Sequence, residues 1–134
     1  MGLGTDISGG YSPSMYENIR QAVLVSRLLE TGVDAQRPAG ERGLGDARIS
    51  LAEAFWLATA GGGQSLGLPV GTFEPGKAFD PQVVDVKLSD SDLTGFGVFD
   101  EPAGRLARIL YLSTPGNIRQ VYLQGRLVRD KDAK

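Results

Sequence analysis

The 134-residue sequence contains no cysteine and no histidine, and only two methionines and one tryptophan. Without cysteine there are no disulfides and no thiolate metal sites, a composition that fits a cytoplasmic setting. Histidine is the commonest metal ligand and the usual general base near neutral pH, so its absence removes most self-sufficient hydrolytic and metal chemistry. Two methionines are too few for a soft, adaptable binding surface. No apolar run approaches the roughly 18–20 residues of a membrane span, and the first residues lack the charged and apolar regions of a secretory signal. Fourteen basic residues against 16 acidic ones leave a net charge of −2. That balance gives no electrostatic footprint for nucleic acid or for an anionic membrane, so neither is expected as a partner.

What is present is an ordinary globular composition, 41% hydrophobic and 22% charged, at a length that supports one domain with a real core. Glycine stands out. There are 19, about twice the share set by an average of ~7%, and they gather at the ends of predicted elements. The most informative cluster is Gly2-Leu3-Gly4-Thr5-Asp6, followed by Ile7-Ser8-Gly9-Gly10. It reads as the end of a strand delivering a carboxylate into a loop where backbone can approach closely.

Ser12-Pro13-Ser14 is a helix start, with a capping hydroxyl and a proline tolerated in the first turn. Ile19, Ala22, Val23, Ser26 and Leu29 then share one face of a helix of about four turns ending near Thr31-Gly32. Glu17, Arg20 and Arg27 fall on its solvated side. A polar loop follows over 33–48. Ser50-Leu51-Ala52-Glu53 is a capping box opening a short apolar helix through Phe55, Leu57 and Ala58. Gly61-Gly62-Gly63 allows close backbone approach, and a further turn ends at Gly67. Val83–Val86 reads as a short buried strand and 89–99 as loop. Pro102 starts an amphipathic helix whose Leu106, Ile109, Leu110 and Leu112 face a core. Ile118 to Val128 forms a hairpin turning at Gln124-Gly125, and the residues from Asp130 to Lys134 are expected to fray.

Gly71-Thr72-Phe73-Glu74-Pro75-Gly76-Lys77 matches half of a phosphate-binding loop, but Ala78 stands where a metal-binding hydroxyl is required. Asp80-Pro81 argues against a following helix, so the segment reads as a turn and a nucleotide-binding domain is disfavoured. Neither Gly2-x-Gly4 nor Gly61–Gly63 has dinucleotide-loop spacing. Trp56, beside Phe55 in mid-helix, suits a core or subunit contact. Asp6 admits two readings. It is a turn aspartate satisfied by nearby N–H groups, or a catalytic carboxylate at the carboxyl end of a barrel strand.

The order of segments bears on that choice. Gly4-Thr5-Asp6 with Ser8-Gly9-Gly10-Tyr11, Leu57-Ala58-Thr59-Ala60-Gly61-Gly62 and Leu66-Gly67 resemble the C-terminal part of amidohydrolase-superfamily enzymes. So do Gly71, Phe73-Glu74-Pro75-Gly76-Lys77 and Phe79-Asp80. Asn117-Ile118, Val121-Tyr122 and Gly125-Arg126 match as well, and Ser8-Gly9-Gly10-Tyr11 and Leu110-Tyr111-Leu112 resemble the guanine-deaminase branch more narrowly. The resemblance covers nearly the whole chain but about the last third of such an enzyme.

It implies a C-terminal fragment of a (β/α)8 barrel plus part of an accessory β-sandwich, an α/β piece in isolation. Residues 1–70 would be the last strand end and helices of the barrel. Residues 71–134 would be sandwich strands, a packing helix and the terminal hairpin. It implies Asp6 as a catalytic and metal-adjacent residue: in the family, the matching carboxylate binds or adjoins the catalytic Zn²⁺ and takes the proton of its water. Guanine, or a related purine, would be the substrate of the intact enzyme and xanthine the product. The family's histidine ligands and general-acid glutamate would lie upstream. The expectation is therefore that this chain alone holds no catalytic zinc and deaminates nothing. A complementary barrel fragment or a second copy is expected to cover apolar faces on the helices carrying Ile19, Val23, Phe55 and Leu66. The alternative is a non-catalytic homologous module that self-associates or docks a partner subunit.

Overall fold

The computed structural model describes residues 1–93 and 101–133. It contains two compact units, Met1–Gly62 and Gly63–Lys134, and is a mixed α/β chain. Among the described residues, four α-helices run α1 (Met15–Thr31), α2 (Leu51–Ala58), α3 (Ala60–Ser65) and α4 (Pro102–Leu112). Three strands among them, β1 (Gln82–Val84), β2 (Ile118–Leu123) and β3 (Arg126–Asp130), make one antiparallel sheet in the order β1-β2-β3.

In the first unit, α1 begins at the Ser14 cap, whose hydroxyl accepts from the Glu17 N–H. It stops at Gly32, which has a φ of 73°, a conformation glycine adopts without a Cβ penalty. The Gly32 N–H donates to the Leu28 carbonyl at 2.8 Å, and Leu44 N–H returns to the Leu29 carbonyl at 3.0 Å. Ile19 and Val23 are buried, as is Ala54 of the neighbouring α2. Ser26, a polar residue on the same stripe, is buried too. Its hydroxyl donates to the Val23 carbonyl at 2.8 Å and accepts the Ile49 N–H at 3.1 Å, tying the start of α2 to α1. The capping box at Ser50 and Glu53 is fully formed.

Two expectations for α1 are corrected. Leu29 does not join the buried stripe, and Ile19 and Val23 do not form an uncovered face. The uncovered apolar residues are Leu24, Val25, Leu28 and Leu29, between 48% and 58% exposed. They fall on the arc of the helix away from Ile19 and Val23, because Leu24 and Leu28, like Val25 and Leu29, are four residues apart. The reach of α3 also differs from expectation, since it takes all three glycines into a helix. Close contacts explain this better than propensity: a Cβ at Gly61 would strike the Trp56 ring, and one at Gly63 would meet the Val70 carbonyl at 2.7 Å.

In the second unit, the turn at Glu74–Lys77 is closed by a 3.1 Å bond from the Lys77 N–H to the Glu74 carbonyl, with Gly76 at a φ of 87°. No helix follows it directly. Strand β1 is shorter than expected and is not a buried one: Val83 and Val86 are both exposed, and Asp85 leaves the ladder to bond the Asn117 carbonyl through its N–H at 2.8 Å. The Gln124-Gly125 turn has φ values of 50° and 76°, the doubly positive geometry that matches hairpin twist. Phe79 accepts the Gly125 N–H at 2.7 Å, and the Asp80 carboxylate accepts the Gln124 N–H at 2.6 Å. Phe73, Phe79 and Tyr122 form a row of tilted rings at centroid separations of 5.6 and 6.3 Å.

Helix α4 has Pro102 in its first turn and buries Leu110, with Leu106 and Ile109 half-buried; Leu112 is exposed, contrary to the amphipathic reading. Most of the loop expected over 89–99 lies outside the described residues. The end of the chain is held through Asp132 rather than frayed from Asp130. Asp130 belongs to β3, the Lys131 N–H bonds the Arg119 carbonyl at 2.8 Å, and Asp132 pairs with the Arg119 guanidinium at 2.7 Å. The Asp132 N–H and the Gln120 amide both donate to the Asp130 carboxylate and hold its pKa below the usual range.

Candidate active-site carboxylate

The segment carrying Asp6 is seated on the junction of α2 and α3. Helix α2 ends at Thr59, whose backbone turns out of the helical region and whose hydroxyl donates back to the Phe55 carbonyl at 2.8 Å. Beside the break, the Leu57 carbonyl accepts the Leu3 N–H at 2.9 Å. Beside that bond, Gly2 lies so close to the helix that a Cβ there would stand 2.7 Å from the Gly62 Cα. The glycines at both ends of this contact thus let a chain segment lie backbone to backbone on a helix. The Thr-Ala-Gly-Gly stretch acquires a local physical role in that contact.

Beyond Thr5 the chain turns sharply. Asp6 has a φ of 46°, a left-handed conformation that aspartate tolerates better than most residues. The Gly10 N–H closes the turn on the Asp6 carbonyl. Asp6 itself is exposed. The loop is then fastened to α1 by two polar residues that hydrophobic patterning did not single out. Ser12 is buried, and its hydroxyl accepts the Ser14 N–H at 3.1 Å. Asn18 is buried one position before Ile19, and its amide donates to the Ser12 carbonyl at 2.9 Å and the Ser14 carbonyl at 2.8 Å. The signal for Asn18 was its spacing, four residues after the Ser14 cap. Tyr16, beside this clamp, has its phenol pKa raised by burial.

The segment 1–128 matches the amidohydrolase family. The chain belongs to the amidohydrolase family. It is similar to the guanine deaminase of Homo sapiens, 41% identical over 133 residues, covering 96% of this chain and 27% of that protein. Among solved structures, it is similar to guanine deaminase from C. acetobutylicum with guanine bound in its active site. That likeness has a TM-score of 0.71 and 30% identity, covering 96% of this chain and 27% of that one. Guanine deaminase from Bradyrhizobium japonicum has a TM-score of 0.73 at 23% identity over 98% of this chain and 31% of that one, a likeness of fold alone. The chain spans about 27% of the length of the curated relative.

The donor set of this amidohydrolase chain is narrow. A catalytic zinc centre takes about three protein ligands and keeps one position for water or substrate. Here the sequence has neither histidine nor cysteine, and no group of three or more carboxylates that could hold a metal occurs among the described residues. Asp6 by itself does not fit the needs of a zinc site. Among the described residues, no helix is long and apolar enough to cross a membrane.

Proposed function

We propose that this chain is the C-terminal part of a guanine-deaminase-like hydrolase, the last strand end and helices of its barrel with part of its sandwich, and that Asp6 is its catalytic carboxylate. The reaction would be guanine plus water to xanthine plus ammonia. Asp6 would take a proton from the attacking water and pass it to the departing amino group, so each turnover restores the carboxylate. Asp6 is exposed and sits in a left-handed turn among glycines, an accessible carboxylate of the kind that can move a proton to a bound molecule. That placement, in a chain 41% identical to a guanine deaminase over 133 residues, carries the reading. A zinc site, in this reading, takes its remaining ligands from outside these 134 residues, and the chain alone neither holds catalytic zinc nor releases ammonia.

The test is reconstitution. The chain is purified alone and together with a polypeptide supplying the rest of the barrel, and both are assayed for zinc and for guanine-dependent ammonia release. Zinc and ammonia from the mixture alone support the reading. Stoichiometric zinc or ammonia from the isolated chain overturns its second half, and an inactive, well-formed assembly overturns the first.

A second reading has one observation in its favour. The exposed Leu24, Val25, Leu28 and Leu29 of α1 form an uncovered apolar face, of the kind that marks association surfaces. A non-catalytic module using that face would self-associate without any reaction. A monomeric sedimentation mass at working concentration removes self-association through it.

A further inference from the structure

The turn after Asp6 contains two consecutive glycines whose roles differ. Neither Gly9 nor Gly10 has a positive φ, so backbone freedom is not what requires glycine at either position. Space is. A Cβ at Gly10 would fall on the Thr5 carbonyl oxygen and within 3.1 Å of the Asp6 carbonyl oxygen, both of them backbone atoms. A substitution there would break the turn itself.

At Gly9 the neighbours are of another kind. The three nearest atoms to a Cβ at Gly9 all belong to Asp6: Oδ2 at 3.2 Å, the carbonyl oxygen at 3.6 Å and Cγ at 3.7 Å. The two longer separations are ordinary contacts. The one to Oδ2 is tighter than van der Waals contact, and Oδ2 is the end of a movable side chain. A methyl at position 9 therefore acts on the Asp6 carboxylate and on little else.

We propose that Gly9 is a positioning residue for Asp6, its missing side chain leaving the space in which the carboxylate rests for proton transfer. This rests on the reading of Asp6 as the catalytic carboxylate. Proton transfer needs heavy atoms within roughly 2.6–3.2 Å of each other, so displacing Oδ2 by a few tenths of an ångström moves it across much of that window. Gly9 touches no part of the substrate in this account. Its loss lowers turnover and leaves binding alone.

The experiment compares wild type, Gly9→Ala, Gly40→Ala and Asp6→Ala in the reconstituted assembly, measuring kcat, KM and the thermal midpoint. Kinetics are taken well below the lowest midpoint, so that every assembly is folded. Gly40 is the control because a Cβ there meets nothing within 4 Å. The expected result for Gly9→Ala is a kcat lower by about tenfold, in line with the cost of misplacing a reacting group. Its KM stays within twofold, and its midpoint matches Gly40→Ala. A kcat equal to wild type overturns the proposal. So does a loss of kcat that tracks a fall in the midpoint, or one that Gly40→Ala reproduces. If Asp6→Ala is as active as wild type, or wild type restores no reaction, the reading of the function fails and the role of Gly9 fails with it. If Asp6→Ala is inactive and Gly9→Ala indifferent, the role of Gly9 alone is lost.

Discussion

Asp6 and Asn117 are held in opposite ways. Asn117 is fully buried and fully bonded. Its amide donates to the Asp85 carbonyl at 3.2 Å and the Ser91 hydroxyl at 2.7 Å, and its carbonyl oxygen accepts the Thr114 N–H at 2.9 Å and the Thr114 hydroxyl at 3.1 Å. One side chain thus ties the end of β1, the Ser91 turn and the lead-in to β2. Asp6 is exposed, and its surroundings are glycine, backbone and space. A buried polar group with all its bonds made fixes structure; a carboxylate left open to the outside is available for chemistry. Asn117 thus holds its own unit together, whereas Asp6 is held by its turn and left open.

Breaking the stronger side of this contrast should give the largest effect. Asn117→Ala removes a fully buried side chain together with its bonds to Thr114, Asp85 and Ser91, and should destabilise the second unit by about 3 kcal/mol. Loss of amide-exchange protection over Ile118–Leu123, with β3 following, would register it. Unchanged protection would mean that the hairpin does not depend on this side chain.

The capping box should matter less. Ser50→Ala should cost about 1 kcal/mol, read as a lower denaturant midpoint by the fluorescence of Trp56 in α2. Glu53 adds a pH dependence. The Ser50 backbone N–H, then the Ser50 hydroxyl, holds its carboxyl pKa below the usual value. With the folded pKa lowered, the stabilisation is full above the unfolded carboxylate value and is lost as pH falls through the folded one. The gap in midpoint between wild type and Glu53→Gln should therefore shrink on acidification from neutrality to about pH 3.

The smallest effect on folding belongs to the uncovered face. Leu28→Lys should change stability by no more than about 0.5 kcal/mol, as expected for an exposed site. If α1 is an association surface, the same substitution should abolish concentration-dependent mass in sedimentation. If Leu28 is covered within the chain's own fold, it should destabilise instead.

The sequence made the local devices legible. The Ser50 box, Pro102 in the first turn of α4 and the Gln124-Gly125 hairpin each depend on residues within a few positions of one another, and each formed where expected. Helix α1 starts at the expected segment, but with Ser14 as its cap and Pro13 ahead of it rather than in its first turn. Asp6 was picked out by the glycines around it. What patterning could not show were choices made by distant contacts. Three consecutive glycines disfavour a helix, yet α3 forms where Trp56 and Val70 close over them. Leu29 and Val83 have the right spacing for a core yet stay exposed. Ser12, Asn18 and Asn117 are polar, so a hydrophobic count passes over them, although their bonds organise the turns on either side.

The central claim is that Asp6 is the proton-transferring carboxylate of a guanine-deaminase-like enzyme of which this chain is one part. It is tested most directly by guanine-dependent ammonia release from the chain mixed with a polypeptide supplying the rest of the barrel, with and without Asp6→Ala. The account predicts ammonia from the wild-type mixture and a loss of at least a thousandfold with Asp6→Ala, the scale of removing a general acid–base group together with its charge. Equal rates from the two mixtures, or ammonia from the unmixed chain, would contradict it.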